Sequence, residues 1–230
     1  MDVSSREIEL ILEPGVRLGA TLALPEEPRG IVLFAHGSGS SRFSRRNRYV
    51  SEALQGVGLG TVLMDLLTAS EEEEERFTRH LRFDIELLAD RLSAAVQWVS
   101  RQEEMEDLAT GLFGASTGAA AALVAAARDP AAVAAVVSRG GRPDLAREAL
   151  PAVRTPTLLI VGGADEVVLD LNRDALAMLE CEKALEIVPG ATHLFEEQGA
   201  LERVAALAAR WFGDHFAPPA QRWSGEPAPS

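Results

Sequence analysis

The chain has 230 residues, enough for one domain with a sizeable core, and its 22 Lys plus Arg against 35 Asp plus Glu give a net charge of −13. Such a surface repels phosphate backbones and anionic lipid, so neither nucleic acid nor a membrane is an expected partner. Apolar residues at 47% and charged residues at 25% are ordinary globular usage, which excludes wholesale disorder.

The longest apolar run, Ala119 to Ala127, falls far short of the roughly 20 residues that cross a bilayer. A single cysteine, Cys181, rules out an internal disulfide and a Cys-rich zinc site. The opening MDVSSREIEL lacks the basic-then-apolar build of a signal peptide, so a cytoplasmic setting is expected. One domain is expected over 1–216. The stretch 217–230, rich in Pro and polar residues, is expected to be a flexible tail in which Trp223 docks at most locally.

Short apolar or β-branched segments bounded by turn residues alternate with longer stretches of helical spacing, the pattern of an α/β fold. Strands are predicted at Glu7 to Leu12, Arg17 to Leu24, Gly30 to Ala35, Gly60 to Asp65, Thr110 to Phe113, Ala134 to Ser138, Thr157 to Val161 and Ala184 to Val188. Only Glu13-Pro14-Gly15-Val16 joins the first two, too little for a crossover helix, so they should pair antiparallel at one edge.

Helices are predicted at Arg45 to Gln55, Phe83 to Ser100, Thr117 to Arg128, Pro143 to Leu150, Leu169 to Leu179 and Ala200 to Phe212. In the second, Ile85, Leu88, Leu92, Ala95, Val96 and Val99 share one face and should cover a sheet. The acidic run Glu71 to Glu75 reads as a solvated loop or helix start. The sum is an eight-stranded, mostly parallel sheet with helices on both faces, whose ligands gather beyond the carboxyl ends of the strands.

Chemistry enters after the fifth predicted strand, where Gly114-Ala115-Ser116-Thr117-Gly118 leads straight into AAAALVAAA. This G-x-S-x-G pattern between a strand and a helix makes a sharp turn whose flanking residues must be small, exposing the Ser116 hydroxyl and setting the Thr117 amide at a helix N-terminus. A serine hydroxyl needs a base. His193, in Pro189-Gly190-Ala191-Thr192-His193 after the last strand, is better placed than His36, His80 or His215.

Asp165, after the strand TLLIV, is the candidate acceptor for that imidazole, with Glu166 and Asp170 as competitors and helix capping as its bland alternative. For oxyanion donors the loop His36-Gly37-Ser38-Gly39-Ser40-Ser41-Arg42 offers the Ser38 amide first and Gly39 next, alongside Thr117. As a nucleotide-phosphate loop the same segment fails, because it lacks the Gly-Lys-Ser/Thr ending and is not G-x-G-x-x-G.

The segments IVLFAHGSGSSRFSRRN, GLFGASTGAA, LLIVGGADEVV and VPGATHLFEE, in that order over about Ile8 to Phe216, resemble the α/β-hydrolase superfamily and within it the dienelactone-hydrolase-like group. The resemblance implies a Ser116, Asp165, His193 triad with oxyanion donors at Ser38 and Thr117. Dienelactone hydrolases themselves carry cysteine at the elbow, whereas this chain has Ser116 there. A carboxylic ester, a thioester or an amide is therefore the expected substrate rather than dienelactone. Similar chains also occur fused to phosphoribosyltransferase domains.

No interval has room for a large lid, which favours small or medium polar esters. The expected enzyme is a serine hydrolase working through an acyl-enzyme, without metal or organic cofactor, acting on a small molecule as a monomer or homodimer. An acyltransferase using the same triad and a non-catalytic binding module are the alternatives. Arg139 and Arg142, and likewise Arg42, Arg45, Arg46 and Arg48, could bind an acidic substrate group or simply pair with surface carboxylates. Activity should decline below roughly pH 6–7 as the base protonates.

Overall fold

The computed structural model describes residues 2–12 and 15–216; Met1, Glu13, Pro14 and the segment 217–230, with its expected tail and Trp223, lie outside the described residues. All eight expected strands form: β1 (Val3–Leu12), β2 (Val16–Pro25), β3 (Ile31–Ala35), β4 (Gly60–Met64), β5 (Thr110–Ala115), β6 (Ala135–Arg139), β7 (Thr157–Gly162) and β8 (Lys183–Val188). They make one sheet in the order β1-β2-β4-β3-β5-β6-β7-β8. β1 pairs antiparallel with β2, and β2 antiparallel with β4; every other pairing is parallel.

β1 begins four residues before its predicted start because Val3 to Arg6 pair with Leu22 to Pro25 although their side chains show little apolar alternation. The five strands β3 to β7 are buried along their whole length, as strands covered on both faces must be.

The helices are α1 (Arg45–Gly56), α2 (Ala69–Thr78), α3 (Ile85–Val99), α4 (Thr117–Arg128), α5 (Glu166–Met178) and α6 (Ala200–His215). On one face Leu88, Leu92 and Val96 of α3 pack with α4 against Leu33, Val62 and Leu112. On the other, Val50 and Leu54 of α1 and Val204 and Phe212 of α6 cover Val32, Phe34 and Phe113.

Three local expectations need correction. The helix predicted from Phe83 is preceded by a separate 3-10 turn, Leu81–Phe83, because the Asp84 side chain accepts the Leu87 amide at 3.0 Å and starts α3 there. The helix predicted over Pro143 to Leu150 is instead two short 3-10 turns, Pro143–Ala146 and Leu150–Ala152, each with proline near its start. The acidic run is the helix start that the sequence allowed, within α2 and begun by a capping box between Thr68 and Glu71, but one of its residues, Glu75, is not solvated. That carboxylate is 2% exposed, pairs with Arg82 and accepts the Leu81 amide at 2.8 Å.

Strand order positions the site. From β3 the chain turns to β4 on one side, while from β5 it proceeds to β6 on the other, so the loops leaving the carboxyl ends of β3 and β5 diverge and open a crevice. Neither the β4–β5 nor the β6–β7 connection inserts a lid domain over it.

Candidate active site

β5 enters its turn through Gly114 and α4 begins at Thr117, leaving Ser116 alone to reverse the chain at φ 51° and ψ −119°. That left-handed φ is unfavourable for a serine and persists because the backbone around it is pinned. The Ser116 amide donates to the Arg139 carbonyl at 3.2 Å and the Arg142 amide donates to the Ser116 carbonyl at 3.1 Å. A Cβ on Gly114 would stand 2.4 Å from the Ala119 Cα, and one on Gly118 2.3 Å from the Ala35 carbonyl oxygen, so helix and strands meet here backbone to backbone. We expect Gly118→Ala to separate them and cost at least about 3 kcal/mol, read as a lowered denaturant midpoint.

The His193 Nδ1–H donates to Asp165 Oδ2 at 2.7 Å. An ionised carboxylate only accepts, so the bond fixes the proton on Nδ1 and leaves Nε2 with its lone pair. Asp165 occupies the N-cap position of α5 yet makes no capping hydrogen bond. Its side chain is committed to the imidazole, which answers the capping alternative. Glu166 and Asp170 are exposed, and Asp170 pairs with Arg173.

Ser116 and His193 line one cavity of about 270 Å³ together with Gly37, Ser38, Arg46 and Arg139. The structure thus brings Ser116 and His193 to one cavity and joins Asp165 to His193, with no hydrogen bond linking Ser116 to His193. Cys181 lies between α5 and β8, away from the elbow.

The expected oxyanion donor at Ser38 already has a hydrogen-bond partner. The Ser38 amide donates to Thr117 Oγ1 at 2.9 Å, tying the loop after β3 to the first residue of α4. That donor is therefore engaged within the protein. Gly39, the next choice, lines a separate small cavity with Glu75 and Arg82 rather than the one holding Ser116.

His36 anchors the base of this loop. Its Nδ1–H donates to the Gly37 carbonyl at 3.0 Å and its Nε2 accepts the Leu66 amide at 3.2 Å, an arrangement open only to neutral imidazole. Burial pushes its pKa below the ordinary range, against the opposing pull of the Gly37 carbonyl, Asp65 and Glu72. Because the folded pKa is the lower one, the unfolded chain takes up the proton first. Stability is unaffected at neutral pH and is lost as pH falls below the unfolded value of about 6.5. Denaturant midpoints measured from pH 7 down to 5 should fall, and His36→Leu should flatten that slope.

Four of the six arginines that the sequence left ambiguous lie outside the cavity lining. Arg142 forms a two-pronged pair with Asp144 at 2.8 and 2.7 Å, and Arg42 pairs with Asp65 and Glu7. The Arg48 guanidinium stacks on Phe43, and Arg45 faces a neighbouring groove. Arg46 and Arg139 do line the cavity, and Arg139 is only 6% exposed. Burial, with like-charge repulsion from Arg46, lowers the Arg139 pKa to about 10. Two residues that carried no signal in the sequence support it: Asn47, whose Oδ1 accepts from the guanidinium at 3.4 Å, and Phe195, whose ring lies 5.8 Å away.

Comparison with known proteins agrees with this architecture. A solved dienelactone hydrolase from Anabaena variabilis superposes with a TM-score of 0.91 at 55% identity, covering 94% of this chain and 99% of that one. An esterase domain of a Rhodothermus marinus protein shares the fold, with a TM-score of 0.72 at 21% identity over 94% of this chain and all of that one. A Mycobacterium tuberculosis protein named putative phosphoribosyl transferase is 57% identical over 213 residues, 93% of this chain but 47% of its own length. The chain thus spans about half the length of these curated relatives. The dienelactone hydrolase family profile matches residues 18–215, and with this the chain belongs to the dienelactone hydrolase family of α/β-hydrolases.

Proposed function

We propose that this enzyme is a serine hydrolase that cleaves a small or medium carboxylic ester or thioester through an acyl-enzyme. The observation that carries the reading is the 2.7 Å Asp165–His193 bond opening onto the same cavity as a serine held in a strained elbow. Ser116 Oγ attacks the carbonyl carbon and its proton passes to His193 Nε2, while Asp165 stabilises the imidazolium. Collapse of the tetrahedral intermediate breaks the bond to the leaving oxygen or sulfur, which takes that proton. Water then attacks the acyl carbonyl, gives its proton to Nε2, and release of the acid restores the Ser116 hydroxyl.

The Thr117 amide, at the first position of α4, is one oxyanion donor; its nitrogen lies where an α-helix has no carbonyl of its own to bond. The Ser38 amide becomes the second when the developing oxyanion draws it from Thr117 Oγ1. A charged acceptor outcompetes a hydroxyl for the same N–H.

The transferase named for the curated relatives belongs to proteins of which this chain matches 47%, and a Ser–His–Asp arrangement suits acyl transfer to water. A fluorophosphonate probe tests the proposal. The protein should gain the mass of one probe less the HF that leaves as the serine is phosphonylated, carried on the peptide containing Ser116, and should release acid from a panel of short-chain esters. Absence of both labelling and turnover overturns it, and ester formation in preference to acid when alcohols are added would assign acyl transfer instead.

A further inference from the structure

We propose that Arg139 and Arg46 form an anion subsite beside Ser116, built to hold a phosphoryl group carried by the ester substrate. The proposal rests on the hydrolase reading above and adds the substrate class. Arg139 follows Val137 on the face of β6 that packs against α1 and α6, and its Cα is paired with that of Ala115, one residue before the nucleophile. It is 6% exposed, and among the described residues no carboxylate pairs with it. Its Nε is buried without an acceptor, and so is the Nε of Arg46.

An unpaired buried guanidinium is costly. In this chain the cost cannot be blamed on a shortage of partners, since 35 carboxylates are available to 22 cations. Arg46 does have a carboxylate, Glu196 at 3.5 Å, but that residue is exposed, so the pair is weak and free to exchange for a ligand. Two arginines repelling each other across one cavity, with the deeper one left uncompensated, make a site that an external anion completes.

The first turn of α1 points to the same ligand. Ser44 caps this 12-residue helix, whose opening residues are Arg45 and Arg46 with no acidic residue among them. Cations at a helix N-terminus oppose the macrodipole, and an anion bound there relieves both. Ser40, Ser44 and Asn47 line the cavity with the two arginines. Donors thus come from the end of β6, the turn of α1 and the loop before it. That spread matches the three oxygens of a phosphoryl group better than the two of a carboxylate, which one guanidinium satisfies in a plane.

The test is calorimetric titration of inorganic phosphate into the Ser116→Ala protein at fixed ionic strength, repeated with propionate. Phosphate should bind, propionate should bind more weakly, and Arg139→Gln should weaken phosphate by at least ~10-fold, the worth of a lost charge-assisted pair. If Arg139→Gln does not fold, Arg46→Gln and competitive inhibition by phosphate of neutral-ester hydrolysis in the unmodified enzyme decide the matter. Absence of phosphate binding, binding that survives both substitutions, or tighter binding of propionate overturns the subsite. Phosphate binding to Ser116→Ala without any ester turnover by the unmodified enzyme supports the subsite while overturning the hydrolase reading, so the two can fail separately.

Discussion

Ser116→Ala is expected to lower kcat on any ester the enzyme turns over by on the order of 10⁶-fold, the loss typical when the nucleophile is removed from a working triad. The substitution removes one oxygen from a residue whose backbone is fixed from both sides, by the Arg139 carbonyl and the Arg142 amide. Alanine tolerates φ 51° no worse than serine does, so the fold and its thermal midpoint should be unchanged. KM should move little, because the hydroxyl gains its importance in the transition state and not in the bound ester. Stopped-flow or endpoint hydrolysis with a chromogenic ester, set beside a thermal melt, separates these expectations. Turnover within tenfold of the unmodified enzyme would show that Ser116 is not the nucleophile.

What could be read from the sequence divides along a physical line. The elbow was legible because backbone-to-backbone packing admits only glycine at 114 and 118, and such a constraint shows at fixed spacing. Asp165 and His193 were legible because each follows a strand, β7 and β8 respectively, and is delivered to the same sheet edge by topology alone. The proposed anion pocket was legible only as two of six ambiguous arginines. Arg46 and Arg139 look like any other arginine in an acidic chain, and what distinguishes them is the carboxylate each fails to bury beside it.

Glu75 shows the converse. Five successive glutamates read as a solvated face, yet a helix turned one of them inward to Arg82, seven residues later. The Ser38 amide was legible as a loop donor, but its bond to Thr117 Oγ1 joins residues 79 apart and leaves no local trace. Local rules recover groups held by backbone constraint; groups held by remote side-chain partners need the folded chain.

Asp165→Asn offers the sharpest separation between catalytic and structural roles, with an expected fall in kcat of about 10⁴-fold. Asparagine has nearly the shape of aspartate and serves as well at a helix N-cap, so a capping role predicts no loss of either stability or activity. The bond to His193 predicts a different outcome. An asparagine amide presents NH₂ as well as a carbonyl toward Nδ1, and where the NH₂ faces the ring, Nδ1 becomes the acceptor and the proton moves to Nε2. The nitrogen that should take the Ser116 proton is then already protonated, and no carboxylate remains to stabilise an imidazolium. Folding should be intact by thermal melt, and fluorophosphonate labelling should slow in parallel with ester turnover, since both need the activated serine. Glu166→Gln and Asp170→Asn, at the two neighbouring carboxylates that make no contact with His193, should leave turnover within a fewfold of the starting enzyme. A 10⁴-fold loss at either of them, or none at Asp165, would move the acid of the triad elsewhere on the α5 loop.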